Sequence, residues 1–136
     1  MKKILGASVG SDVHVAGLLN FLELAKKEGY KTVNLGAAVP ISRVIESIEK
    51  EKPTIVALSY RLGAVALSNL LNEFLKEIEK IDVGDNVVFI FGGTAETSEI
   101  AAQSGIFKKI FDGSEEEEDV VLFLRGQIKF QEKRNY

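Results

Sequence analysis

Five short apolar runs, each separated from the next by residues of helical periodicity, constrain this 136-residue chain more than any other feature. The runs are Ile4–Val9, Lys31–Leu35, Thr54–Ser59, Val87–Phe91 and Phe107–Phe111. They are of strand length, and several are apolar at successive positions rather than alternating, which is the signature of strands buried on both faces of a parallel sheet. Between them lie amphipathic segments. From about Gly17 to Glu28, Leu18, Leu19, Leu22 and Ala25 recur at helical spacing and Gly29 supplies a C-terminal stop. Pro40 opens a second helix with Ile41, Val44, Ile45 and Ile48 on one face, and Pro53 forbids its continuation past Lys52. A third runs from about Ala64 to Lys80, a turn follows at Asp82–Asn86, and a shorter helix covers about Thr97–Gln103. Ser114 with Glu117 has capping-box spacing and starts a last helix, whose acidic first turn suits the positive end of its dipole.

Strands alternating with helices predict an α/β fold with a doubly wound, five-stranded parallel sheet. The simplest arrangement for so short a chain is the flavodoxin-like (Rossmann-like) order 2-1-3-4-5. At 46% hydrophobic and 27% charged residues the chain can bury one core. Residues 1–124 are expected to form one domain, and 125–136 a polar, basic C-terminal tail that is either frayed or a boundary inside a longer protein.

Composition removes several classes of function. With 17 Lys and Arg against 20 Asp and Glu, the net charge is −3 and no basic stripe is interleaved with aromatics, so no nucleic-acid partner is expected. No apolar stretch reaches the roughly 18 to 20 residues that span a bilayer, and the N-terminus enters a strand without the features of a signal peptide. A cytoplasmic location without membrane attachment is expected. Zero cysteines exclude thiolate metal sites and any disulfide-linked partner.

The chemistry concentrates at three predicted strand ends. Gly10-Ser11-Asp12-Val13-His14-Val15-Ala16-Gly17 follows the first strand and holds the only histidine. A carboxylate two residues before an imidazole can hold one ring nitrogen and leave the other for a metal. Gly17 lets the chain pass close to a large flat ligand. Ser59 offers a hydroxyl at the end of the third strand, and Gly92-Gly93 leaves space at the end of the fourth. In the order 2-1-3-4-5 these three strands are neighbours, so their loops converge where ligands of such sheets bind. A lone histidine cannot hold zinc or iron, which need three or four protein ligands. A metal already held by a macrocycle needs only one.

Asp12-Val13-His14-Val15-Ala16-Gly17 resembles the D-x-H-x-x-G signature of the cobalamin (vitamin B12)-binding domain family. Gly92-Gly93 falls where that family has its later glycine pair, and Ser59 where it has the serine of S-x-L. Arg61 stands at the leucine position of that motif, with Leu62 one residue further. The resemblance runs from about residue 3 to 124, and the longer string around His14 looks most like the small subunit of glutamate (methylaspartate) mutases. It implies cobalamin bound with its dimethylbenzimidazole off cobalt, His14 as the lower axial metal ligand, Asp12 as its hydrogen-bond partner, and the nucleotide tail in a crevice between strands 3 and 4. Cofactor-binding residues are then Ser11, Asp12, Val13, His14, Val15, Gly17, Ser59, Arg61, Leu62, Gly92 and Gly93.

The same resemblance implies an isomerase subunit that uses adenosylcobalamin and is inactive without a large catalytic barrel subunit, this chain contributing no catalytic residue of its own. Corrinoid carriers for methyl transfer, which would use methylcobalamin, usually have a helical domain ahead of this one, so the strand beginning at residue 3 favours the mutase reading. A non-catalytic cobalamin carrier or sensor is the remaining alternative.

Overall fold

The computed structural model describes residues 2–84 and 86–134. The chain alternates β1 (Lys3–Ser8), α1 (Ala16–Lys27), β2 (Lys31–Asn34), α2 (Ile41–Glu51), β3 (Ile55–Tyr60), α3 (Ala64–Ile78), β4 (Val88–Gly93), α4 (Ala95–Ser104), β5 (Lys109–Phe111) and α5 (Glu117–Arg134). All pairings are parallel and the order is β2-β1-β3-β4-β5, the flavodoxin-like arrangement.

Two apolar layers sandwich the sheet. On one side α2, α3 and α4 cover Leu5, Val56, Leu58, Tyr60 and Phe91. On the other, α1 and α5 cover Ile4, Ile55, Ala57, Ile90 and Phe111. The alternation along β3 explains the division, because Ile55 and Ala57 project to one layer and Val56 and Leu58 to the other.

The fourth strand does not stop at Phe91. Gly92 and Gly93 pair with Ser59 and Tyr60, since a parallel ladder asks only for backbone groups. α4 begins at Ala95, earlier than its apolar pattern suggests, because Thr94 and Thr97 close a reciprocal cap: the Thr97 N–H donates to Thr94 Oγ1 at 3.2 Å and the Thr94 N–H to Thr97 Oγ1 at 2.9 Å. β5 is shorter than its apolar run, with Phe107 outside the strand and packed instead on Phe91, ring centroids 5.4 Å apart. The expected Ser114–Glu117 capping box is absent. Ser114 instead turns back, its N–H and Oγ both donating to Asp112 Oδ1, while the N–H of Glu116 is taken by the Asp119 carboxylate at 2.9 Å. α5 then runs without a break past residue 124 to Arg134, so helix continues into the segment read as a tail; Asn135 and Tyr136 lie outside the described residues.

α1 and α5 are the walls of the site described below, and polar contacts clasp the C-terminal end of α1 to the middle of α5. The Tyr30 hydroxyl, just beyond α1, donates to the Leu124 carbonyl at 2.7 Å, and Arg125 pairs with Glu28. Burial, with the Glu28 charge adding to it, pushes the Tyr30 phenol up to about 12. The folded protein therefore keeps the Tyr30 proton between pH 10 and 12, where the unfolded chain loses it, and stability falls as pH rises through that window. Denaturant midpoints should drop more steeply from pH 10 to 12 in the native protein than in Tyr30→Phe; parallel slopes would contradict the assignment.

Candidate functional site

The first loop is shaped by main-chain bonds before any ligand is considered. Val9 pairs with Val39 beyond the end of β1, and Gly10 then turns at φ +67°, where a Cβ would also lie 2.7 Å from Leu70. The positive φ is what favours glycine there, since the tip of the Leu70 side chain can move aside. The turn returns the chain beneath itself. The Asp12 N–H donates to the Val9 carbonyl at 3.2 Å, and the Asp12 carbonyl accepts from the Ala38 N–H at 2.8 Å and from Ser8 Oγ at 3.0 Å. Asp12 is left with no solvent exposure.

A buried carboxylate is tolerated only when donors fill its lone pairs, and Asp12 meets that requirement. Its Oδ1 accepts the His14 N–H at 2.9 Å and lies 2.5 Å from His14 Nδ1. Its Oδ2 accepts the Arg61 N–H at 2.6 Å. The carboxylate consequently ties the first loop to the end of β3 and turns Nδ1 of the imidazole inward. The His14 side chain is 54% exposed, and no described residue bonds to Nε2. Burial pushes the Tyr60 phenol, on the other face of β3, above its ordinary range, and the negative charge of Asp12 adds to the effect.

His14 stands at the mouth of a cleft of about 690 Å³. Its floor is the α1/α5 face of the sheet, where Ala57, Ser59, Ile90 and Gly92 lie in adjacent register. One wall is α1, through Gly17, Leu18, Phe21 and Leu24; the other is Phe111, Gly113, Glu115 and Val120. Cβ atoms built on Gly17 or Gly92 meet nothing within 4 Å, so both glycines leave their space to the cleft. Gly93 differs, because a Cβ there would fall 2.4 Å from Thr97 Oγ1 and 2.5 Å from the Tyr60 carbonyl.

Of the residues singled out in the sequence, Val13, His14, Val15, Gly17, Ser59, Arg61, Gly92 and Gly93 line the cleft and Asp12 lies behind His14. Ser11 and Leu62 do not line it. Both are exposed, Ser11 on the Gly10 turn and Leu62 beyond the end of β3. The crevice itself is not between strands 3 and 4, which are hydrogen-bonded neighbours; it lies across their face, beneath α1 and α5. The sequence reading passed over Phe21, Ala57, Ile90, Phe111, Glu115 and Val120. Ala57 and Ile90 were open to discovery, as each lies two residues before Ser59 or Gly92 on a strand of period two. Phe111 was open to the same reasoning, since it ends the fifth apolar run and pairs with Gly92, whereas Val120 carried no such signal, because only the packing of α5 brings it over the cleft.

Among the described residues no group of three or more His, Cys, Asp or Glu side chains could hold a metal ion. One exposed, oriented imidazole above a largely apolar cleft suits a metal that arrives inside a large organic ligand with an appendage to bury. No described helix is long and apolar enough to cross a membrane.

A family model described as B12 binding domain matches residues 2–122. The trimethylamine corrinoid protein of Methanosarcina barkeri is 31% identical over 98 residues, 72% of this chain and 41% of that protein. The D-ornithine 4,5-aminomutase subunit beta of Acetoanaerobium sticklandii is 26% identical over 113 residues, 76% of this chain and 15% of that subunit. This chain thus spans less than half the length of these relatives. Among solved structures, the methanol:cobalamin methyltransferase complex MtaBC of Methanosarcina barkeri superposes with a TM-score of 0.70 at 21% identity, over 93% of this chain and 46% of the other, a likeness of fold.

Proposed function

Because this chain belongs to the B12-binding domain family, we propose that it holds cobalamin with the dimethylbenzimidazole displaced and His14 in its place on cobalt, as the cofactor subunit of an adenosylcobalamin-dependent carbon-skeleton mutase of the glutamate mutase kind. The observation that carries the proposal is the Asp12–His14 pair: a fully buried carboxylate holds Nδ1 and leaves Nε2 at the mouth of the cleft. A carboxylate in that position sets the tautomer and raises the basicity of the ligating nitrogen.

The residues fit the cofactor. His14 would supply the ligand, Asp12 its orientation, and Gly17, Ser59 and Gly92 the room and the hydroxyl for a nucleotide tail. About 690 Å³ lies within the roughly 300–1,000 Å³ of small-molecule sites. When bound, the cofactor supplies either a cobalt–carbon bond that breaks homolytically or a transferable methyl group. The chain's own contribution is to bind, orient and shelter. Among the described residues that line the cleft, His14 is taken up by the ligand role, Ser59 by the tail, and the one carboxylate, Glu115, already accepts the Gly113 N–H at 2.8 Å. The resemblance to the small subunit of glutamate mutases supports placing the substrate site on a separate large barrel subunit.

A second reading, a corrinoid carrier for methyl transfer, is favoured by the identity to the trimethylamine corrinoid protein. Reconstitution separates the two. Loaded with adenosylcobalamin and mixed with the product of a neighbouring gene for a barrel subunit, the chain should support carbon-skeleton isomerisation, with glutamate as the first probe. Isomerisation absent under these conditions, with demethylation of bound methylcobalamin by a neighbouring methyltransferase instead, would replace the mutase reading by the carrier.

Asp12 gives a narrower test. Asp12→Asn should weaken cobalamin binding by about 10 to 100-fold, the usual cost of losing a partner behind a metal ligand. Equilibrium titration checks it, with circular dichroism to show that the fold persists; equal affinity would remove Asp12 from the site.

A further inference from the structure

We infer that the cleft selects among cobamides by their lower base, taking an apolar benzimidazole in preference to a purine. The inference rests on the cobalamin reading and deepens it. The floor beneath the cleft is a trench of small residues, Ala57, Ser59 and Gly92, with Phe21 and Phe111 above it, their ring centroids 6.3 Å apart and tilted by 46°. Such a slot suits a flat aromatic ring, which gains from tilted contacts with both phenyl groups.

What decides between bases is the polar inventory. His14, Asn20 and Arg61 line the cleft but are exposed at its mouth. Glu115 is committed to the Gly113 N–H. Within the trench the hydroxyl of Ser59, unpaired among the described residues, is the one side-chain polar group, and the remaining surface comes from Ala57, Ile90, Val120 and the two phenylalanines. Dimethylbenzimidazole, once off cobalt, brings one free ring nitrogen and two methyl groups, which one hydroxyl and an apolar wall can satisfy. Adenine in the same place brings three free ring nitrogens and an amino group, most of which would lose water and find no side-chain partner beyond the Ser59 hydroxyl.

Three corrinoids test the preference on the intact chain: cobalamin, the adenine-bearing cobamide, and cobinamide, which lacks the nucleotide. Absorbance titration should give cobalamin the tightest binding, with the adenine form weaker by at least about tenfold. An adenine form that binds as tightly as cobalamin overturns the inference while leaving the cobalamin reading intact. No binding of any of the three sinks that reading and this one together. Ala57→Leu supplies the second arm, since it fills the trench without touching His14. It should bring cobalamin down to the affinity of cobinamide and leave cobinamide binding unchanged, which also reports that the variant folds. Cobalamin binding undiminished in Ala57→Leu would place the base elsewhere and overturn the inference.

Discussion

His14→Ala is expected to abolish the spectrum of histidine-ligated, base-displaced cobalamin and to weaken binding by more than the about 10 to 100-fold assigned to loss of its carboxylate partner. The fold should survive the change. The imidazole is 54% exposed, and the N–H of residue 14, which donates to Asp12 Oδ1, belongs to the main chain and remains in the alanine variant. With the Arg61 N–H still on Oδ2, the buried carboxylate keeps two of its three donors. Removal of the third, a bond to a charged group, costs about 1.5–3 kcal/mol of stability, a shift readable by denaturation but short of unfolding the protein. Free imidazole added to the variant should enter the vacated space and restore the ligated spectrum, a rescue that a merely structural role for His14 would not show. An unchanged spectrum in His14→Ala would end the ligand assignment, and with it the reason for Asp12 to be buried where it is.

The architecture was legible because it is written in a local code. Five apolar runs with helical segments between them admit few topologies, and the order 2-1-3-4-5, the simplest of them for so short a chain, is the one the structure adopts. Element ends were less legible where polar side chains decided them. Thr94 and Thr97 start α4 through a reciprocal cap whose second member is a threonine rather than the Glu or Gln of the usual pattern, and Ser114 spent its hydroxyl on Asp112 instead of capping α5. The site divides in the same way. His14, Asp12 and the glycines stood out through spacing and residue type, whereas the link from Asp12 to the Arg61 N–H joins positions 49 residues apart and rests on a main-chain group, which no side-chain pattern can announce. For the same reason the departure from leucine at position 61 leaves that link untouched: it is the amide, present in any residue but proline, that holds Asp12 Oδ2.

Adjacent glycines on β4 should respond in opposite ways to the same added methyl group. In Gly93→Ala the new Cβ would lie 2.4 Å from Thr97 Oγ1, 2.5 Å from the Tyr60 carbonyl and 2.9 Å from Phe91 Cε2. None of these can yield cheaply: Thr97 closes the cap of α4, the Tyr60 carbonyl belongs to β3, and Phe91 is a fully buried core ring. Overpacking of this kind costs typically about 1–3 kcal/mol, and contact with backbone on one side places Gly93→Ala at the upper end. At roughly 2–8 °C per kcal/mol, thermal denaturation should show a loss on the order of 10 °C. In Gly92→Ala nothing lies within 4 Å of the Cβ, so the native state gains no clash and the unfolded chain loses freedom; stability should be unchanged or rise by up to about 1 kcal/mol. The methyl group instead enters the cleft, and the series Gly92→Ala, Gly92→Val, Gly92→Leu should lose cobalamin affinity step by step at undiminished melting temperature. Cobinamide, without a tail to bury, should bind the whole series alike. A Gly92→Leu variant that kept full cobalamin affinity would show that the tail does not lie over β4, and a Gly93→Ala variant as stable as the parent would show that β3, β4 and α4 are not packed as tightly as the structure has them.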